Sequence, residues 1–121
     1  MRFNLPKDKK NMLWTNHVKR KMQYYGLSEK RLKRVLRNPI RVEKGIAPNT
    51  LAVMQSTGTK KHPTEIWLMY QKISLKRKAK SEKLRKIRII SAWRYPGISP
   101  KREPPPIPED ILKELKNIIK I

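Results

Sequence analysis

Residues 50–73 read TLAVMQSTGTKKHPTEIWLMYQKI, and this stretch decides the fold. Residues 50–55 and 64–73 are rich in the β-branched, aromatic and large apolar residues that are typical of strands. The Gly, Lys and Pro signals between them, at 56–63, predict a turn. The second segment is apolar on both faces around residues 66–70, so we expect it to lie in the middle of a sheet.

A third strand is predicted at residues 87–95 (IRIISAWRY). Strict alternation would place Ile87, Ile89, Ser91, Trp93 and Tyr95 on one face, with Arg88, Ile90, Ala92 and Arg94 on the other. Consecutive strands with short links favour an antiparallel meander. We therefore expect an antiparallel sheet of three strands, or four.

Two helices are predicted before the sheet. Apolar side chains recur at helical spacing within residues 11–25, and Gly26 has the character of a C-cap. Ser28 is the expected N-cap of the second helix, which ends at Asn38 because the residue before a proline disfavours helical backbone angles. The expected buried positions are Trp14, Val18, Met22 and Tyr25 in the first helix, and Leu32, Val35 and Leu36 in the second.

The C-terminal part begins with a proline-rich, extended connector at residues 96–108. A last helix follows, with Glu109 and Asp110 in its first turn, where negative charge is favourable against the helix dipole. Its apolar face consists of Ile111, Leu112, Leu115, Ile118 and Ile119. Such a helix packs on its own domain or serves as a handle for a second subunit or partner protein. The elements together predict an α+β fold.

The charge of the chain points to a polyanionic partner. The 121 residues include 31 Lys and Arg against nine Asp and Glu, which gives a formal net charge of +22. Nucleic acid is the obvious partner, because neutralising phosphates releases counterions. An anionic membrane surface is an alternative, but it would require a basic helix with a broad apolar face. A lysine-rich, heat-adapted proteome would enrich Lys and Glu together, whereas acids are scarce here.

Several function classes are excluded or disfavoured. The chain has no cysteine, so disulfides, thiol catalysis and Cys-ligated zinc are excluded. It lacks a glycine-rich phosphate loop and a Gly-x-Ser-x-Gly motif, and no two of its acids outside the last helix are at metal-ligand spacing, so we expect no metal or cofactor. No segment has the length of a membrane span, and the N-terminus lacks a signal-peptide pattern. We expect a cytoplasmic protein without a membrane partner, with residues 1–96 acting on nucleic acid and residues 97–121 forming the connector and terminal helix.

The positive charge concentrates in the second helix and in residues 72–88. The latter stretch has nine basic residues and one acid, and is typical of a solvated hairpin tip, a frayed helix or a polyanion-binding finger. Candidate nucleic-acid-binding residues are Lys30, Arg31, Arg34, Arg37, Lys76, Arg77, Lys78, Lys80, Arg85, Arg88 and Trp93.

Metal-free phosphodiester chemistry is compatible with the remaining residues. RNA supplies its own nucleophile, the 2′-hydroxyl, so an enzyme needs a proton acceptor and cations that stabilise the phosphate. His17 flanks the apolar stripe of the first helix, where a structural and a functional role are both open. Arg94 lies between Trp93 and Tyr95, which suits phosphate binding with base stacking, but equally suits two core aromatics with a solvated charge.

Residues 17–28 (HVKRKMQYYGLS) resemble the opening pattern H-A-x-x-R-M-x-x-R-G-I-S of a family of small bacterial and phage domains. The order continues with residues 35–39 (VLRNP), with Val42-Glu43, and with a last strand that ends in an aromatic–basic stretch. The family is similar to the BrnT toxins and, through them, to the RelE/ParE ribonuclease-toxin superfamily. Lys21 and Tyr25 stand where the family has arginines, and the basic stretch at 75–86 and the proline-rich tail are outside its pattern.

The resemblance implies a metal-independent endoribonuclease of toxin type, with translation-linked, ribosome-associated RNA as substrate and an acidic antitoxin as partner. His17 would be the general base or acid, Lys21 and Arg94 would neutralise the phosphate, and Tyr95 or Trp93 would stack a base. The alternative function is a non-catalytic nucleic-acid- or ribosome-binding protein that uses the same basic surface. A third interpretation is an interaction module whose terminal helix and proline-rich arm dock another protein.

Overall fold

The fold is α+β, with helices on both faces of a mixed sheet. The structure is a computed structural model that describes residues 6, 12–74 and 85–119. The elements in this part of the chain are β1 (Met12–Trp14), α1 (Asn16–Tyr25), α2 (Glu29–Arg37), β2 (Arg41–Lys44), β3 (Thr50–Gly58), β4 (Pro63–Ser74), β5 (Arg85–Pro96) and α3 (Glu109–Ile119). The predicted fold class is confirmed, but the layout of the sheet differs from the prediction.

The described residues form a five-stranded sheet in the order β1-β5-β4-β3-β2. The three predicted strands form its centre as an antiparallel meander, with Thr50 opposite Gln71 and Trp67 opposite Trp93. The apolar second segment is the middle strand, as predicted. Its position explains its composition, because both of its faces are covered.

The two edge strands are not among the predicted elements. β1 pairs in parallel with β5, whereas the helical spacing predicts its residues to belong to the first helix. That helix begins only at Asn16, where the hydroxyl of Thr15 caps it by accepting a hydrogen bond from the Val18 N–H. β2 pairs with β3 in antiparallel fashion. Both strands are too short for a periodic pattern, and pairing with a long neighbour specifies them.

The helix boundaries that depend on local signals are confirmed. Gly26 ends α1 in the left-handed conformation at φ 66°, and its N–H donates to the Met22 carbonyl. Ser28 caps α2 through a hydrogen bond from the Arg31 N–H. α2 ends before the Asn38-Pro39 pair, as predicted. The tight connection therefore holds α1 and α2 side by side on one face of the sheet.

The two faces of the sheet carry separate hydrophobic clusters. The first lies under α1 and α2 and consists of Trp14, Val18, Met22, Leu27, Leu32, Val35, Val53, Ile66, Leu68, Ile89 and Ala92. The second lies under α3 and consists of Ala52, Met54, Trp67, Met69, Ile90, Trp93, Ile111 and Leu115. α3 therefore packs on the sheet of its own chain, while the functional division at residue 97 stays a prediction.

The predicted alternation along β5 is wrong, because a β-bulge interrupts it. Met69 pairs with Ser91 but Tyr70 pairs with Ile89, which leaves Ile90 as the extra residue. Ile87 and Ile89 consequently face the first cluster, whereas Trp93 and Tyr95 face the second. The bulge lies beside the start of α1, where the Thr15 hydroxyl donates to the Ile90 carbonyl. It sets the direction of Ser91.

Candidate functional site

His17 lies in the first turn of α1 and is 2% exposed. Its Nδ1 is 2.5 Å from Oε2 of Glu114, and its Nε2 is 2.9 Å from Oγ of Ser91. Burial lowers the pKa of His17 despite the nearby carboxylate, which favours the neutral ring. A carboxylate can only accept, so Nδ1–H donates to Glu114 and Nε2 accepts from the Ser91 hydroxyl. This network joins α1, β5 and α3.

The order hydroxyl, imidazole, carboxylate is the order used to activate a nucleophile. In this structure, however, the Ser91 side chain is fully buried, and α3 covers the network from outside. No substrate can reach Ser91 in this arrangement. The visible role of the network is to hold three elements together, and the catalytic role of His17 stays a prediction.

The cations that neighbour His17 on α1 are paired with acids of α3. Lys21 Nζ lies 3.1 Å from Asp110 Oδ2 and 3.5 Å from Glu114 Oε1, and Arg20 Nη2 lies 3.7 Å from Glu114 Oε2. Burial opposes the charge on Lys21, but the hydrogen bonds and charges of the two acids outweigh it and raise its pKa. α3 thus neutralises the positive charge at this end of α1.

Arg94 lies at a different place from His17. Its Nε donates to the Tyr25 carbonyl at 2.8 Å, at the C-terminal end of α1. Tyr25 lies eight positions after His17 in the helix, which corresponds to roughly 12 Å along the axis. The structure therefore brings together His17 and Lys21 of the predicted catalytic set, and it groups Arg94 with residues of α2 instead.

Arg31, Arg34 and Arg94 form an arginine cluster near the turn between α1 and α2. Arg31 Nη1 donates to Gln55 Oε1 at 2.9 Å, and Gln55 and Arg94 flank Ile66 in the cross-strand register. Burial lowers the pKa of Arg31, and the positive charges of Arg34 and Arg94 lower it further. Within the described residues, no carboxylate lies within 4.0 Å of these three guanidinium groups.

The other predicted nucleic-acid-binding residues have varied positions. Lys30, Arg34 and Arg37 are exposed on α2, whereas Arg88 is half-buried and donates to Gln71. Lys76, Arg77, Lys78 and Lys80 lie outside the described residues, as does the side chain of Arg85. The described part of the basic surface is therefore the outer face of α2 with the arginine cluster.

Trp93 and Tyr95, which were predicted to stack a base, are not exposed on the surface. Trp93 is fully buried and stacks on Trp67, with ring centroids 6.1 Å apart, so a base cannot stack on it in this structure. The bulge turns Trp93 towards the second cluster, against which the half-buried Tyr95 also packs. Among the described residues Tyr24 is an exposed aromatic side chain, at 77%, and it is not among the predicted site residues. Its position off the stripe of Val18 and Met22 was the available signal.

Other kinds of site find no support among the described residues. No group of three or more His, Cys, Asp or Glu residues in this part of the chain could hold a metal ion. An open cleft of about 640 Å³ lies between β2 and residues 101–105, but it contains none of the predicted site residues. No helix of the described part is long and apolar enough to cross a membrane.

Comparison of the chain with protein-family models, with curated proteins and with solved structures finds no match.

Proposed function

We propose that this protein binds RNA through the arginine cluster and the exposed face of α2. The observation that carries the proposal is the arginine cluster itself. The positive charges of Arg34 and Arg94 lie close enough to Arg31 to disfavour the charge on its half-buried guanidinium group, and no carboxylate of the described chain pairs with any of the three. A phosphate would supply the missing negative charge, and guanidinium groups bind phosphate in a bidentate manner.

The surroundings of the cluster support a surface for several phosphates. Lys30 and Arg37 are exposed on the same helix, and the whole chain carries a formal charge of +22. Binding would release counterions, so the affinity should fall steeply as salt is added. The choice of RNA over DNA rests on the resemblance of residues 17–28 to the toxin family.

The test compares two arginine substitutions that change the net charge equally. Arg34→Glu alters the arginine cluster, whereas Arg102→Glu alters an exposed arginine in the connector. We expect Arg34→Glu to weaken RNA binding about 10-fold. The slope of log affinity against log salt concentration should fall by the amount expected for about one phosphate contact. Arg102→Glu should have a much smaller effect. Equal losses in both variants would show that only net charge matters and would overturn the proposal.

A metal-independent endoribonuclease of toxin type is the second candidate. The neutral imidazole of His17, hydrogen-bonded to Glu114 and close to Lys21, has the protonation state that a general base needs. The acidic antitoxin that the resemblance implies would be its partner. α3 covers His17, so cleavage requires this helix to move.

The ribonuclease candidate is tested by incubating RNA with the protein in excess chelator. Cleavage by the wild type that is lost in a folded His17→Gln variant would support it. A wild type that binds RNA without cutting it, or a His17→Gln variant that cuts equally well, would rule out the catalytic role. Binding through the arginine cluster would be unaffected by either result.

A further inference from the structure

Tyr24 is the most exposed large apolar side chain of the described residues. It is 77% exposed, and the others of this kind, Ile40, Val42 and Ile98, are aliphatic. An aromatic ring on the outer face of a helix contributes nothing to the core, and single exposed apolar residues need no explanation by themselves. The position of Tyr24 beside the proposed RNA surface is what gives it significance.

Neighbouring side chains hold the ring of Tyr24 in a defined orientation. Tyr25 contacts it edge to face, with centroids 4.8 Å apart and an interplanar angle of 84°. The ammonium of Lys21 lies 5.7 Å from the Tyr24 ring centroid, one helical turn away. The exposure of 77% shows that these contacts leave most of the ring open to solvent. The ring is therefore oriented but accessible.

Two cationic side chains lie near Tyr24. Lys21 is paired with Asp110 of α3, and Arg94 binds the carbonyl of Tyr25, the residue that follows Tyr24. Arg94 belongs to the arginine cluster, so the cluster contacts the residue next to Tyr24. An accessible ring beside phosphate-binding cations is the combination that binds an unpaired nucleotide, since the base stacks while the backbone is neutralised.

We propose that Tyr24 is a stacking site for an unpaired RNA base, and hence that the preferred ligand is single-stranded. This inference rests on the proposed function and narrows it to a substrate class. In a duplex the faces of internal bases are covered by their neighbours, so an aromatic side chain on a helix surface has nothing to stack on. The phosphate contacts alone would not distinguish the two forms of RNA.

The experiment measures the affinity of the full chain for a uridine-only single strand and for an RNA duplex of the same length at fixed salt. We expect Tyr24→Ala to lose about 5- to 100-fold in affinity for the single strand, the range for one stacked base, with little change for the duplex. Tyr24→Phe keeps the ring and should bind like the wild type. Ile98→Ala removes another exposed apolar side chain, at 72%, and should have no effect.

The outcomes separate the two proposals. If Arg34→Glu weakens binding but Tyr24→Ala affects the single strand and the duplex equally, the stacking site is wrong and RNA binding stands. A Tyr24→Phe variant as weak as Tyr24→Ala would also overturn the stacking site, because the hydroxyl would then be responsible. If neither Arg34→Glu nor Tyr24→Ala changes binding, the proposed function itself fails.

Discussion

At the scale of single residues, His17 links α1 to α3 and to β5. Its two ring nitrogens are both used, one by Glu114 of α3 and one by Ser91 of β5. Buried polar groups are costly unless they are paired, so the network stabilises the one arrangement in which all three partners meet. Acids on α3 also pair with Lys21 and Arg20, which reinforces that arrangement.

The buried imidazole makes stability depend on pH. Burial lowers the pKa of His17 below its ordinary 6.5, so on acidification the unfolded chain takes up a proton before the folded chain does. The free energy of unfolding should therefore fall as the pH drops below about 6.5, until the pH passes the folded-state pKa. Urea unfolding at a series of pH values measures this slope. We expect the His17→Gln variant to lack this pH dependence at pH values above those at which the carboxyl groups titrate.

His62 provides the control for that experiment, since it is an exposed histidine in the turn after β3. His62→Gln should keep the slope of the wild type. A His17→Gln variant with an unchanged slope would mean that the imidazole is not buried in solution. At neutral pH we also expect His17→Gln to be less stable by about 1–3 kcal/mol. The Ser91 hydroxyl and the Glu114 carboxylate would lose their hydrogen bonds to the imidazole, and the glutamine amide does not reproduce the ring's geometry.

The sequence identified His17, Lys21 and Arg94 as residues of interest but not their partners. Glu114 is 97 residues from His17 and Ser91 is 74, so no local pattern could connect them. Ser91 also depends on a bulge, which alternation alone does not reveal. Arg31 and Arg34 were predicted as binding residues, but their grouping with Arg94 follows from the sheet register. Residue types were therefore readable from the sequence, and tertiary groupings were not.

At the scale of elements, the predictions succeeded where a signal is local. The caps of α1 and α2 were readable because Gly26 and Ser28 satisfy the helix ends within a few residues. β1 and β2 have only three and four residues, and their pairing with β5 and β3 specifies them. A short edge strand forms because it pairs with the neighbouring strand of the sheet. Its few residues show no periodic pattern from which it could be predicted.

The connector between β5 and α3 is anchored by a buried carboxylate. Glu65 is 2% exposed and accepts hydrogen bonds from Trp67 Nε1 at 3.0 Å, from Ser99 Oγ at 2.6 Å and from Ser99 N–H at 3.2 Å. Arg41 lies over the Trp67 ring and donates to Ser99 Oγ, and to the carbonyls of Pro100 and Glu103. These contacts direct the connector across the sheet and place α3 opposite His17.

Removing the Glu65 carboxylate should loosen α3 before the rest of the fold. Glu65→Ala leaves three buried donors without their acceptor, so we expect a loss of about 2–4 kcal/mol in the free energy of unfolding. Hydrogen exchange should accelerate in α3 more than in α2. Glu103→Ala is the control, because its side chain is exposed and only its backbone carbonyl binds Arg41. Equal acceleration in α2 and α3 would mean that the connector does not position α3 independently.

At the scale of the whole molecule, positive charge is distributed unevenly between paired and unpaired regions. Acids of the described residues that make internal contacts are Glu29, Glu43, Glu65, Asp110 and Glu114. Two of them neutralise the N-terminal half of α1, whereas the arginine cluster has no acid partner in the described chain. Within the described residues, the surface that we propose for RNA therefore keeps repulsion between its arginines that no acid relieves.

This distribution predicts a trade-off between stability and binding at one residue. Arg34 disfavours the charge on the half-buried Arg31, so Arg34→Glu should relieve repulsion and supply a carboxylate to the arginine cluster. We expect its melting temperature at low salt to rise by about 2–5 °C, and the gain to shrink as salt screens the charges. Thermal unfolding across a salt series measures both. Arg102→Glu changes the net charge equally in the exposed connector and should gain less.

A surface selected for binding keeps a repulsion that stability alone would remove, so the variant that melts higher should bind RNA more weakly. If Arg34→Glu melted lower than the wild type at every salt concentration, the guanidinium would be stabilising the fold, and the cluster would not be a site that lacks a counterion.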